Sequence, residues 1–317
     1  MEVSFHPYSE EHHAALAALI TVGFSSAGLP MVVTESELLE SLDSPNVNPV
    51  EDYRLAFAGD RLVGFGSVSH RPSEGSFARA TLNGTIHPDF RRQGIGSSLL
   101  QWAEQHGREK IAHADKGLPA QLWAMAYDNQ VEDLSLYANA GFELTRYFHE
   151  MLRPLSSTEV VVGPADGIEV VPWSDDLESQ ALSVLNESFK DLWGSLPIDR
   201  QSWEKWLETE PLRLDLSFLA VAEGEVVGLS LNSHYPEDEA ASGRREGWIE
   251  TLGTLRKWRK KGVATALMQK SFQAFNEAGF THAILEVDTE NPTGAAELYS
   301  NVGFASERTA VAYLKYF

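Results

Sequence analysis

The stretch Arg91-Arg92-Gln93-Gly94-Ile95-Gly96-Ser97 returns as Arg259-Lys260-Lys261-Gly262-Val263-Ala264-Thr265, and this pair of turns decides how the chain is read. Each follows an apolar run of strand character, Thr81 to Ile86 or Trp248 to Thr254, and each opens an amphipathic helix. A strand leaving into such a turn points successive backbone N–H groups, unshielded at the glycines, at the positive end of a helix. The pattern therefore predicts an anion site that fits a pyrophosphate, twice over. Five of the six residues Arg256 to Lys261 are basic, in a chain that holds 46 acidic against 25 basic side chains. Positive charge is thus concentrated at one turn of an acidic protein. A lone basic turn reads equally as a solvated helix start; repetition at equivalent positions argues for binding.

The repeat extends far beyond the turns. Val3-Ser4-Phe5-His6-Pro7-Tyr8-Ser9 shares its apolar-Pro-aromatic-Ser pattern with Glu169-Val170-Val171-Pro172-Trp173-Ser174, and helical segments follow at Glu11 to Thr21 and Leu177 to Phe189. Hairpin signals come next, Leu55 to Phe65 around Gly59-Asp60 and Phe218 to Leu229 around Glu223-Gly224. After the turn and its helix stand apolar strands, Gln121 to Tyr127 and Ala283 to Val287, then short helices ending in Tyr137 to Phe142 and Tyr299 to Phe304. The offset between copies stays between 162 and 168, so two copies of one unit differ by small loop insertions. The expected division is 1–153, a linker at 154–167 holding Pro154, Ser156, Ser157, Pro164 and Gly167, and 168–317. The polar stretch His234 to Arg245 reads as a loop over a site.

Competing phosphate motifs fail on spacing. No glycine in the chain is followed directly by lysine, which a Walker loop requires. Gly94-Ile95-Gly96-Ser97-Ser98-Leu99 ends in leucine where a dinucleotide fingerprint needs a third glycine.

Composition bounds the rest. The chain has 317 residues, 43% hydrophobic and 22% charged, enough for two cored domains. A net charge of -21 argues against a nucleic-acid partner and mildly favours cationic ligands. With no cysteine there is no disulfide framework, thiolate metal site or cysteine nucleophile. The ten histidines include no helical His-x-x-x-His pair around a glutamate, so no metal is expected. Met1 to Glu11 lacks the basic start and apolar run of a signal peptide, and no apolar stretch is long enough to cross a membrane. The expectation is a cytoplasmic protein without a membrane partner, monomeric or dimeric.

The Arg/Gln-x-x-Gly-x-Gly/Ala pattern between strand and helix, preceded by Ile86-His87-Pro88-Asp89-Phe90 in the first copy, resembles the acyl-CoA pyrophosphate loop of the GNAT N-acetyltransferases. Asp128-Asn129 with Tyr137 and Gly141-Phe142, and Glu290-Asn291 with Tyr299 and Gly303-Phe304, are similar to that family's asparagine and helix tyrosine. The resemblance spans nearly the whole chain, and its tandem form resembles the mycothiol synthase branch, though no residue fixes that branch's substrate. It implies an α/β (α+β) architecture: two tandem GNAT folds, each a mixed, mostly antiparallel sheet flanked by helices. It also implies acetyl-CoA as acyl donor and a small-molecule primary amine as acceptor. The two turns, with Asn129 and Asn291, would hold the coenzyme. Strand backbone at Gly84, Thr85 and Ile86, and at Leu252, Gly253 and Thr254, would pair with the pantetheine arm and polarise the thioester carbonyl. Glycine in a strand also fits a simple bulge.

The chemistry needs a proton donor and a base. Tyr299, and Tyr137 in the first copy, stand where the family places a general acid; a phenol of pKa about 10 is protonated at neutral pH. Packing against Phe304 is the plainer reading of Tyr299. An amine with the pKa of lysine is neutral about once in two thousand molecules at pH 7, a handicap of about 4.6 kcal/mol, so a base is worth having. Glu250 alternates with Trp248 and Leu252 on one face if the strand is regular, and is the candidate; an exposed edge glutamate is the alternative. The first copy offers Thr81 to Asn83 there and no carboxylate, which favours the second copy for catalysis. Trp193, Trp203 and Trp206 line an acceptor pocket or fill a core. An acyl-CoA-binding regulatory protein without transfer, and a protein N-acetyltransferase, are the alternative functions.

Overall fold

The computed structural model describes residues 2–71, 77–115, 117–156 and 166–317. They form two compact units, Met1–Tyr147 with Ala310–Phe317, and Phe148–Thr309. The first repeat runs β1 (Val3–Pro7), α1 (His13–Ser26), α2 (Glu35–Leu42), α3 (Pro49–Asp52), β2 (Tyr53–Ala58), β3 (Arg61–His70), β4 (Ala78–Ile86), α4 (Ile95–Ala114), β5 (Ala120–Tyr127), α5 (Val131–Asn139) and β6 (Glu143–Pro154). The second runs β7 (Ile168–Pro172), α6 (Glu178–Phe189), α7 (Arg200–Leu207), β8 (Phe218–Ala222), β9 (Glu225–His234), α8 (Asp238–Ser242), β10 (Glu246–Thr254), α9 (Val263–Glu277), β11 (His282–Asp288), α10 (Ala295–Asn301) and β12 (Ala305–Tyr316).

Each unit builds the same sheet. In unit 1 the order is β1-β2-β3-β4-β5, antiparallel except for the parallel β4–β5 pair, closed by the Ala310–Tyr316 part of β12 antiparallel to β5. In unit 2 it is β7-β8-β9-β10-β11, closed by Phe148–Pro154 of β6 antiparallel to β11. The hairpins turn where expected: Gly59, Glu223 and Gly224 take positive φ, the conformation a tight turn requires. Both carry the same bulge, after Ala56 and after Ala220.

The compact units therefore depart from the division at 153 and 168. Each repeat ends in a long strand, and the far half of that strand completes the other unit's sheet, because β5 and β11 each need a hydrogen-bonding partner on their outer edge. Residues 157–165 of the expected linker lie outside the described residues. The stretch expected as a loop at His234 to Arg245 holds α8 and is tied by His234 Nε2 to Glu239 Oε1 at 2.8 Å.

Helix burial follows the 3.6-residue period. Helix α4 buries Ile95, Leu99, Leu100, Ala103 and Ile111, and α9 buries Val263, Ala266, Leu267, Phe272 and Phe275, each stripe facing its sheet. Trp203 is fully buried with Trp206 packed against the same core, and its indole N–H donates to Glu178 at 2.6 Å, so these two tryptophans serve packing.

Candidate active site

The two turns have one backbone conformation. Arg92 and Lys260 stand at φ +62 and +60, and Gly94 and Gly262 at +83 and +76. A left-handed non-glycine residue costs about 1–2 kcal/mol. That both copies accept it shows a turn shape held by its surroundings. Neither helix start has a side-chain cap. The first N–H groups of α4 and α9 thus converge on an open concavity at the positive helix end.

Side chains divide into braces and walls. Arg91 donates from Nε to the Ile86 carbonyl at 3.2 Å and from Nη2 to Ser26 at 2.7 Å. Arg259 does the same toward the Thr254 carbonyl at 3.2 Å and the Ser188 carbonyl at 3.0 Å. These guanidinium groups, expected on a ligand, fix the turn to its strand and to α1 or α6. Arg256 pairs with Asp191, and Lys257 with Glu223 at 3.7 Å. Arg92, Gln93, Lys260 and Lys261 remain exposed around the concavity. Ile95 and Val263 bury their side chains and offer only main-chain N–H groups. A Cβ on Gly96 would meet Leu136 at 3.4 Å, an ordinary contact, which explains how Ala264 replaces it.

Beside each turn the sheet opens. Strands β4 and β5 pair only from Ala78↔Ala120 to Leu82↔Ala124, and β10 and β11 only from Glu246↔His282 to Trp248↔Ile284. Past those points the strands splay, leaving the edge at Gly84–Ile86 and at Leu252–Thr254 without its parallel partner. In unit 1 a small pocket, open to solvent, lies in this opening, lined by Gly84, Thr85, Ile86, Gly96, Asp133 and Tyr137 among others. The strand glycines answer to their neighbours: a Cβ on Gly84 would lie 2.6 Å from the Phe65 carbonyl oxygen, and one on Gly253 2.9 Å from Leu229. Asn129 donates its amide to the Ala27 carbonyl at 2.7 Å, tying its loop to the end of α1, and Asn291 accepts from the Thr293 N–H at 2.9 Å, shaping its own loop.

Tyr137 and Tyr299 are each 8% exposed, on α5 and α10. Burial pushes the Tyr299 phenol up to about 12 and raises Tyr137 as well. Tyr299 packs edge-on to Phe304 at 6.1 Å, so the packing role is real, and its depth keeps the phenol protonated.

Glu250 is the extra residue of a bulge: Ile249 pairs with Asn232 and Thr251 with Leu231. Strand β10 is therefore not regular there, which corrects the expectation, although Trp248, Glu250 and Leu252 do share the half-buried side. Bulges re-aim a side chain near active sites. Glu250 accepts from the Tyr235 hydroxyl at 2.9 Å, and burial raises its pKa despite that bond and one from Ser233. Across the splay stands Glu286, solvent-accessible yet set deep in surrounding protein, as on the wall of a cleft. Burial, then Glu150, then Glu250 push its carboxyl up to about 7. Glu150, 1% exposed, is its cross-strand neighbour and accepts from Arg308 Nε at 2.6 Å. Among the described residues no group of acids is spaced to hold a metal ion.

Sequence reasoning missed Glu286, Glu150, Tyr235 and Arg308. The signal for Glu286 was there: a charged residue interrupts the apolar run Ala283 to Val287. Unit 1 has none of these carboxylates: by strand pairing Met125 and Ala312 hold the places of Glu286 and Glu150, and the β3–β4 register carries no extra residue to match Glu250.

Comparison with known proteins adds to the geometry. Residues 179–304 match the acetyltransferase (GNAT) family and residues 50–144 an acetyltransferase (GNAT) domain. Mycothiol acetyltransferase of Thermobispora bispora is 25% identical over 267 residues, 82% of either chain. That of Catenulispora acidiphila is 24% identical over 82% of this chain and 79% of its own. A GCN5-related N-acetyltransferase from Sphaerobacter thermophilus is similar in fold, with a TM-score of 0.77 at 23% identity over 99% of this chain and 95% of that one. A tandem GNAT protein from the clavulanic acid biosynthesis pathway gives 0.73 at 16%, over 99% and 98%.

Proposed function

The chain belongs to the GNAT acetyltransferase family, as two tandem domains, and on that premise we propose that it moves an acetyl group from acetyl-CoA to the primary amine of a small molecule, in unit 2. The observation that carries the assignment is the pair Glu250 and Glu286, facing one another across the open end of β10 and β11 beside the turn of α9. The mycothiol acetyltransferase relatives support a small-molecule acceptor.

In this reading the turn amides at Gly262 to Thr265 bind the diphosphate, with Lys260 and Lys261 around it, and the free edge of β10 pairs with the pantetheine arm. A main-chain N–H of that edge polarises the thioester carbonyl. The acceptor arrives as a cation, drawn by the carboxylates. It gives a proton to Glu286 or Glu250, whose raised pKa makes either a better base for an amine than an ordinary carboxylate. The neutral nitrogen attacks the carbonyl, and the sulfur departs carrying the electron pair. Tyr299 donates a hydrogen bond to it. A phenol near 12 lies well above a thiol near 8.5, so full transfer of its proton would be uphill by about 5 kcal/mol. Tyr299 therefore stabilises the thiolate, and the proton that neutralises it is the one the nitrogen sheds as the amide forms, passed on through solvent, while the carboxylate returns its own proton to solvent.

The turn of α4 gives unit 1 a coenzyme site as well, without a base. The test compares Gly94→Glu and Gly262→Glu in release of coenzyme A from acetyl-CoA over an amine panel. Turnover is expected to vanish only with Gly262→Glu. Loss with Gly94→Glu alone would assign the chemistry to unit 1, and no release with any amine in the intact protein would remove the reading.

A further inference from the structure

We propose that the acceptor is a primary amine carried on an apolar body the size of an aromatic ring, its nitrogen at Glu286 and that body against Phe148 and Trp193. The proposal rests on the transferase reading of unit 2 and names the substrate class for that same site.

Strand alternation sets which face is open. Ala283, Leu285 and Val287 of β11 pack with Phe272 and Phe275 of α9, so Glu286 and Asp288 point to the opposite face of the sheet. On that face α6 and α7 cover β8 and β9, where Leu219, Leu229 and Leu231 share a core with Leu185 and Trp203. Among the described residues that core takes nothing from β11. Strand β11 runs between β10 and β6, yet Glu286 is exposed, so the helical cover ends short of it. The room above Glu286 thus lies on the face of the sheet, whereas the pantetheine arm is given the free edge of β10 at Leu252–Thr254.

Aromatic rings border that room. Phe148 of β6 pairs with Asp288, one diagonal step from Glu286, a separation of about 7–8 Å between backbones that the side chains shorten. Trp193 meets Phe148 at 6.3 Å between ring centres. It stands in the segment 190–199 that joins α6 to α7, outside the core that takes Trp203 and Trp206. That segment is tied at both ends: Asp191 pairs with Arg256 beside the turn of α9, and Asn186 holds Ile198 by hydrogen bonds of 2.8 and 2.9 Å. The indole is therefore held in place before any ligand arrives, and both rings are only half-buried. Nearby polar groups already bond one another, Glu150 with Arg308 and the Tyr235 hydroxyl with Glu250. Hydroxyls of a sugar-like amine would compete with those bonds, while an apolar body gains by leaving water.

The test measures kcat/KM for coenzyme A release by the intact protein with acetyl-CoA and 2-phenylethylamine, ethanolamine or glucosamine, repeated on Trp193→Ala and Trp193→Phe. 2-Phenylethylamine is expected to exceed ethanolamine by roughly 10- to 100-fold, the worth of burying one phenyl ring. Trp193→Ala should remove most of that ratio through KM, and Trp193→Phe should restore most of it. A role in folding alone would slow both amines alike and leave the ratio in place. A ratio at or below one, a preference for glucosamine, or a ratio unchanged in Trp193→Ala overturns the proposal and leaves the transferase reading standing. Release with no amine at all overturns both. Should Trp193→Ala lack a cooperative unfolding transition, Phe148→Leu is read by the same ratio.

Discussion

Removal of Ala310–Phe317, the end of the second repeat, is expected to unfold unit 1 and leave unit 2 folded. That segment supplies the outer strand of unit 1: it pairs with β5 from Ala310↔Tyr127 to Tyr316↔Gln121. Val311 and Leu314 are at most 2% exposed and Tyr313 is 6% exposed, packed on Tyr137 at 5.6 Å. Burying each such side chain contributes about 1.5–3 kcal/mol, so the three together account for roughly 5–9 kcal/mol, an upper estimate because denatured chains already bury some surface. Lys315 adds a half-buried tie to Glu104 at 2.5 Å and to the Ala140 carbonyl at 2.7 Å. A domain's net stability is about 5–15 kcal/mol, so the loss is comparable to the whole. Hydrogen exchange read by mass spectrometry on the truncated and intact chains checks this. Protection should fall in β5, α4 and α5 and persist in β8 to β11 and α9. Loss confined to unit 2, or undiminished protection in β5, would refute the strand exchange as the source of unit 1's stability.

Three further outcomes follow from the site. Glu286→Gln should raise the stability of unit 2 at pH 8 by about 1 kcal/mol and change little at pH 4. The raised pKa, about 7 against an ordinary 4.5, means the protonated carboxyl's contribution is fully present below 4.5 and lost as pH rises through 7, and solvent around an exposed side chain cuts the effect to that size. Urea denaturation at both pH values measures it, and a destabilised variant at pH 8 would show that a favourable charge partner holds Glu286. Tyr299→Phe should slow single-turnover acetyl transfer by roughly 10- to 100-fold with stability within about 0.5 kcal/mol of the parent; an unchanged rate removes the hydrogen bond to sulfur. Gly84→Ala, whose Cβ would sit 2.6 Å from a backbone oxygen, should cost about 1–3 kcal/mol in thermal unfolding, whereas Gly96→Ala should be tolerated.

What was legible beforehand was local. The hairpin turns at Gly59-Asp60 and Glu223-Gly224, the helices that open at Ile95 and Val263, and the tyrosines of α5 and α10 all came from patterns within one stretch of chain. The two basic turns were found as turns, yet which of their side chains brace and which face outward was not visible, because Arg91 and Arg259 spend their donors on residues of α1 and α6 far away in sequence. Glu250 was singled out from its strand, but its place in a bulge depends on the register against β9.

Periodicity and duplication in the sequence alone determined two copies of one α/β unit, each with a basic, glycine-containing turn at a helix start, since hydrophobic spacing and glycine positions express backbone geometry directly. Only the tertiary structure decided which strand completes which sheet, because β6 and β12 are alike in pattern and either could lie against either edge. It alone brought Glu286 and Glu150 to Glu250, on three different strands, and the burial and neighbouring carboxylates that raise the proton affinity of Glu286 exist only in that arrangement.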